Sequence, residues 1–115
     1  MPSPTSIGRQ AEEVASQYLQ SKGYQVLHRN WRTRWCEIDV IVQQAQRVTF
    51  VEVKYRTAST WGGGLDYITS KKLQQMQLAA EHWIAAQQWT GDYALGALEV
   101  SGPKFVVTAW LPELW

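Results

Sequence analysis

Cysteine is almost missing from this chain: Cys36 is the only one among 115 residues. A single thiol excludes an intrachain disulfide framework and a cysteine-built zinc cluster, and it suits a reducing compartment. Long apolar runs are missing as well, and none approaches the roughly 20 residues a membrane-spanning helix needs. The N-terminus Met1-Pro2-Ser3-Pro4 has no basic-then-apolar signal pattern, so a cytoplasmic protein with no membrane partner is expected. Charge of one sign is not in excess either. The net charge of +1 with 18% charged residues excludes a histone-like polycation and a highly charged disordered chain.

What is present is an apolar fraction of 45%, enough for one compact domain. A chain of this length buries roughly two thirds of its unfolded surface and needs no staple. Seven tryptophans stand out, at positions 31, 35, 61, 83, 89, 110 and 115. Trp most commonly anchors a core or an interface, and stacking on unpaired bases is its less common use. The charge is also uneven: Lys22 to Arg56 holds seven basic residues against three acids. Such a segment is a phosphate-facing surface or simply a solvated face.

Residues 1–6 read as a polar, Pro-bearing arm ahead of a single domain over 7–115. Ile7, Ala11, Val14, Ala15, Tyr18 and Leu19 have the spacing of an amphipathic helix, which Gly23 ends. Tyr24–Leu27 and Ile38–Val42 read as strands around a basic aromatic stretch, His28–Trp35. Arg47–Arg56 is a third strand after a polar connection. Thr57–Asp66, with three consecutive glycines, is a flexible loop. A second helix starts at a Thr69 or Ser70 cap, lines Leu73, Met76, Ala80, Trp83, Ile84 and Gln87 on one face, and stops at Gly91. Tyr93–Val100 and Phe105–Leu111 form a hairpin. The order αβββαββ implies an α/β or α+β domain with a mixed central sheet flanked by helices.

Strand alternation puts Glu52 and Lys54 on the same face as Val48 and Phe50. On an edge strand that would be a weak, exposed ion pair. The preceding strand changes the weighing, because Asp39 lies in a run that otherwise reads as buried, where an unpaired carboxylate costs several kcal/mol or stays neutral. The short connection makes the strands antiparallel. If facing residue numbers sum to 91, Ile41 meets Phe50 and Asp39 meets Glu52, with Cβ atoms about 5 Å apart. Two carboxylates that close repel unless a divalent cation lies between them, and all-oxygen ligation suits Mg²⁺ or Mn²⁺. Lys54 would project beside that ion, an arrangement suited to phosphoryl chemistry.

Asp39, twelve intervening residues and then Glu52-Val53-Lys54 resembles the PD-(D/E)XK signature of restriction-endonuclease-like nucleases, whose core order is αβββαβ. The wider pattern resembles the small bacterial YraN-type proteins, similar in outline to archaeal Holliday junction resolvases. It consists of Gly8-Arg9-Gln10-Ala11-Glu12-Glu13, Gly23-Tyr24, Asn30-Trp31-Arg32, Glu37-Ile38-Asp39-Val40-Ile41, Phe50-Val51-Glu52-Val53-Lys54-Tyr55-Arg56 and Lys72. It covers roughly residues 7–85. The resemblance implies that Asp39 and Glu52 bind the metal, that Lys54 serves the reaction, and that Glu12 of the first helix assists both. Cys36 stands where that pattern has Gly.

Helical geometry separates the two neighbouring acids: Glu12 lies just beyond the apolar arc and can reach the sheet, whereas Glu13 points nearly opposite and cannot. By the same reasoning Lys72, not Lys71, lies near the apolar face. The expected protein is a Mg²⁺- or Mn²⁺-dependent nuclease for structured or damaged DNA. Arg29, Arg32, Arg34, Arg56 and Lys72 would contact phosphates, and a homodimer would present two sites to two strands. The competing expectation is a non-catalytic nucleic-acid or protein-binding module on the same fold.

Overall fold

The computed structural model describes residues 4–57 and 68–114. Helix α1 (Pro4–Ser21) is followed by β1 (Gln25–Arg32), β2 (Glu37–Gln44) and β3 (Arg47–Arg56). Helix α2 (Ser70–Gln87), β4 (Asp92–Ser101) and β5 (Val106–Leu111) complete the chain. The strands form one sheet in the order β1-β2-β3-β4-β5, antiparallel except for the parallel β3–β4 pair. The architecture is thus the expected αβββαβ core with an added C-terminal strand.

Each face of the sheet is covered by one helix. Ala11, Ala15 and Leu19 recur every four residues on α1 and pack on Val40, Val42, Val51, Leu98 and Val100. On α2, Met76, Ala79, Ala80 and Trp83 pack on Ile41, Val48, Phe50 and Leu95 of the opposite face. Alternation along β3 therefore sends even-numbered side chains toward α2 and odd-numbered ones toward α1. Central strands covered on both faces read as nearly continuous apolar runs, which is why β4 is buried over most of its length.

The ends of the helices follow local chemistry. At the end of α1, Gly23 takes φ +93, Tyr24 N–H donates to Leu19 O and Gly23 N–H to Gln20 O. That is the Schellman closure expected of a glycine there. Thr69 caps α2 by accepting from Lys72 N–H. The helix ends at Gln88 in the left-handed region (φ 54), so Gly91 is not its stop. Gly91 is required for another reason: a Cβ there would collide with the Trp89 ring and the Gln46 carbonyl.

Two further boundaries differ from the sequence expectation. Helix α1 begins at Pro4 rather than Ile7, with proline in the first turn, where its missing N–H costs nothing. Strand β1 runs on through His28 to Arg32 instead of ending at Leu27, because an edge strand alternates half-buried and exposed positions and tolerates basic side chains. The glycine loop and Trp61 lie at 58–67, outside the described residues. Among the described residues, no helix is long and apolar enough to cross a membrane.

The β2–β3 hairpin turns at Ala45-Gln46, with Ala45 at φ 53. A side chain in that region is strained, so Ala45→Gly is expected to raise stability by about 0.5 to 1 kcal/mol. A urea unfolding midpoint unchanged or lowered by the substitution would contradict this.

Candidate metal and nucleic-acid site

Strands β2 and β3 pair in the register whose facing numbers sum to 91: Val40 faces Val51 and Ile41 faces Phe50. Beyond Val40 and Val51 the ladder ends. There the Asp39 carboxylate takes over, accepting from the Val53 N–H at 2.8 Å.

The path of β1 explains how Asp39 leaves the ladder. Arg29 pairs with Val40 and Trp31 with Ile38, two residues apart on each strand. Strict alternation would keep both pairs on one face. Instead, Arg29 bonds to Glu13 of α1 while Trp31 stacks on His82 of α2, so the faces exchange between them. Asn30, in the left-handed region at φ 55, sits at the exchange. Asn is among the few side chains that adopt this conformation readily.

Asp39 consequently lies at the rim between the faces. Glu52 reaches its carboxyl from the α2 side and Glu12 from the α1 side, each close enough to share a hydrogen bond with it. Glu12, Glu37 and Asp39 each offer an oxygen, and those atoms lie within 4.8 Å of one another. The Asn30 side chain lies beside Glu12 and favours its charged form. Glu52 is only 5% exposed on a central strand, which removes the reading of an exposed edge ion pair. Its Oε2 is met by Lys54 Nζ at 3.1 Å and by Lys72 Nζ at 3.6 Å.

The electrostatics follow from this crowding. Burial first, and then the Glu52 carboxylate, push the Asp39 carboxyl up to about 8, despite the opposing Val53 N–H. Glu12 is also raised, chiefly by burial, with Asn30 pulling the other way and Glu37 adding repulsion. A proton on Asp39 therefore does at neutral pH what a cation could do, relieving repulsion between neighbouring carboxylates. Three converging carboxylate oxygens form a donor set that suits a hard divalent ion such as Mg²⁺.

Glu12, Asp39, Glu52, Lys54 and Lys72 are thus brought together. Sequence reasoning does not single out Glu37 as a ligand, although its period-two spacing from Asp39 on a strand is the available signal. The five expected phosphate contacts separate. Arg34 is exposed with its guanidinium 4.9 Å above the Trp35 ring, and Arg32 is exposed but pairs with Glu37 at 2.9 Å. Arg29 bonds Glu13 at 3.2 Å, which corrects the expectation that Glu13 cannot meet the sheet: the long arginine spans the gap. Arg56 is drawn away to Glu99 of β4 at 3.5 Å. Burial raises the Cys36 thiol, which argues against a thiolate nucleophile.

Most tryptophans have structural partners. Trp83 is in the α2-side core; Trp31, Trp89 and Trp110 pack against one core or the other. Trp89 also donates to the Asp92 carbonyl.

A mixed five-stranded sheet with one helix per face and a carboxylate–lysine cluster at a strand divergence defines an α+β protein with the αβββαβ core. More particularly, the chain belongs to the uncharacterised protein family UPF0102, the YraN-type group, whose model matches residues 11–106. The match extends past residue 85 and takes in β4. A UPF0102 protein of Pseudomonas putida is 42% identical over 91 residues, 79% of this chain and 73% of the relative. One from Vibrio parahaemolyticus is 36% identical over 100 residues, covering 85% and 83%. One from Nitrosomonas europaea is 33% identical over 111 residues, covering 96% and 94%.

Proposed function

We propose that this protein is a divalent-metal-dependent endonuclease that hydrolyses phosphodiesters in branched or otherwise structured DNA. It would work in the cytoplasm, as a homodimer whose two sites serve two strands. One observation carries the reading: half-buried Asp39 lies between Glu12 and Glu52, and the same Glu52 holds Lys54 and Lys72. Such a cluster costs stability in a purely structural role.

Asp39, Glu12 and Glu37 would hold the metal, with Glu52 beside them. A bound Mg²⁺ or Mn²⁺ would supply Lewis-acid stabilisation of the charge on the phosphoryl oxygens. Lys54, held by Glu52, is placed to orient the attacking water and to counter charge that grows in the transition state. Asn30 and the Val53 N–H orient Glu12 and Asp39 respectively. Lys72 and the exposed Arg32 and Arg34 would take phosphates, which positions DNA without reading its sequence. The test is cleavage of linear, nicked, flap and four-way DNA with Mg²⁺ and with Mn²⁺, using Asp39→Ala as control. Loss of all metal-dependent cleavage in the variant is expected. Wild-type protein that binds these substrates but cleaves none would leave the second reading, a non-catalytic DNA-binding module.

The arginines make a graded prediction. Arg34→Ala is expected to weaken binding to every DNA shape and to lower the salt slope by about one unit. Arg56→Ala, removing a guanidinium already held by Glu99, should leave the slope unchanged. Binding isotherms across a salt series decide between them, and equal slopes for the two variants would count against the assignment.

A further inference from the structure

We propose that the β1–β2 turn and His82 of α2 form a stacking site for one unpaired nucleobase, a proposal that rests on the DNA-binding part of the reading above. Thr33, Arg34, Trp35 and His82 line a cavity of about 390 Å³. That volume falls within the roughly 300 to 1,000 Å³ of small-ligand sites.

Among the described residues, Trp35 belongs to neither hydrophobic core, so core packing does not account for it. Its ring meets His82 edge-on at 5.8 Å, and His82 lies stacked on Trp31 at 5.9 Å with 28° between planes. The Arg34 guanidinium completes the group 4.9 Å over Trp35. Two flat rings and a guanidinium thus line one opening, with Trp31 stacked on His82 to support it.

The platform is also held in place before any ligand arrives. Thr33 Oγ1 accepts from Trp35 N–H at 3.1 Å and Cys36 N–H at 3.2 Å, and donates to the Cys36 carbonyl at 2.9 Å. Thr33 N–H closes the turn onto that same carbonyl at 3.0 Å. A rigid aromatic surface loses little entropy on binding.

The lining chooses the occupant. Among the described residues, none of the four that line the cavity is acidic, so an organic cation would meet the like charge of Arg34 there. A base offers a π-face to Trp35 and His82, and its phosphate offers charge to Arg34 and neighbouring Arg32. The turn leads directly into Glu37, so a base held here would bring its strand beside the carboxylate cluster. The substrate class is therefore DNA with at least one unpaired nucleotide.

The test measures binding in EDTA, where cleavage plays no part, using three duplexes: fully paired, with one bulged adenine, and with an abasic residue at the bulge. The wild type should bind the bulged adenine about tenfold more tightly than the abasic bulge. Trp35→Ala should reduce that ratio to within twofold and leave fully paired duplex binding within about twofold. Trp35→Phe, which keeps an aromatic face, should retain most of it. Equal wild-type affinity for adenine and abasic bulges, discrimination that survives in Trp35→Ala, or no binding to any duplex would each overturn the stacking site. Discrimination without metal-dependent cleavage in a parallel Mg²⁺ assay would uphold the stacking site and overturn the nuclease.

Discussion

Asp39→Asn is expected to make the metal-free protein more stable at alkaline pH while abolishing its response to Mg²⁺. The Asp39 carboxyl is held up to about 8, chiefly by burial and then by Glu52. In the unfolded chain it loses its proton near 4. Between those values the folded state binds more protons than the unfolded one, so stability is fully present below about pH 4 and declines as pH rises toward 8. The decline is on the order of several kcal/mol, since each tenfold difference in proton affinity between the two states corresponds to about 1.4 kcal/mol. Asparagine carries no charge and can still accept from Val53 N–H, so its pH dependence should be far flatter. Urea unfolding at pH 5 and pH 8.5 measures the difference. Mg²⁺ at about ten times its Kd should stabilise the wild type by about 1.4 kcal/mol and the variant not at all. A wild-type melting curve indifferent to Mg²⁺, or an equal response in the variant, would remove the metal site.

Lys54→Ala should separate chemistry from binding. Lys72 remains 3.6 Å from Glu52 after the substitution, so that buried carboxylate keeps a cation and the fold should persist. The Lys54 ammonium counts most once the phosphoryl group has gained negative charge. Single-turnover cleavage at saturating DNA and Mg²⁺ should therefore fall by about two orders of magnitude or more, with DNA affinity kept within a few fold. Lys54→Arg should not restore the rate, because a planar fork does not replace a compact ammonium beside Glu52. An undiminished rate, or a rate that falls only in step with affinity, would take Lys54 out of the reaction.

Pattern in the chain was enough for the elements that bury an apolar face. The four-residue spacing of Ala11, Ala15 and Leu19, the Gly23 terminus and the Thr69 cap act over one or two turns, and each appears in the fold where local chemistry puts it. The β2–β3 register was legible too. A short connection and buried residues on both strands leave few pairings that keep Ile41 and Phe50 on one side, and the sum of 91 holds through Val40 and Val51. Strand β1 was less legible because an edge strand needs only one partner. Its His and Arg side chains break the apolar signal without breaking the ladder.

The sequence alone determined the two helices, the central strands and the candidacy of Asp39, Glu52, Lys54 and Lys72, because side-chain period and residue chemistry are local properties, while the family resemblance added Glu12. Tertiary structure decided how these groups meet. The left-handed turn at Asn30 exchanges the faces of β1 and β2, brings Asp39 to the rim and adds Glu37 beside Glu12. The same folding pairs Arg29 with Glu13 and draws Arg56 to Glu99, so two basic residues that look free in the sequence are held by acids. Strand alternation describes one strand at a time, whereas the kink and the ion pairs depend on contacts between residues far apart in the chain. Those contacts exist only once the sheet has formed between its two helices.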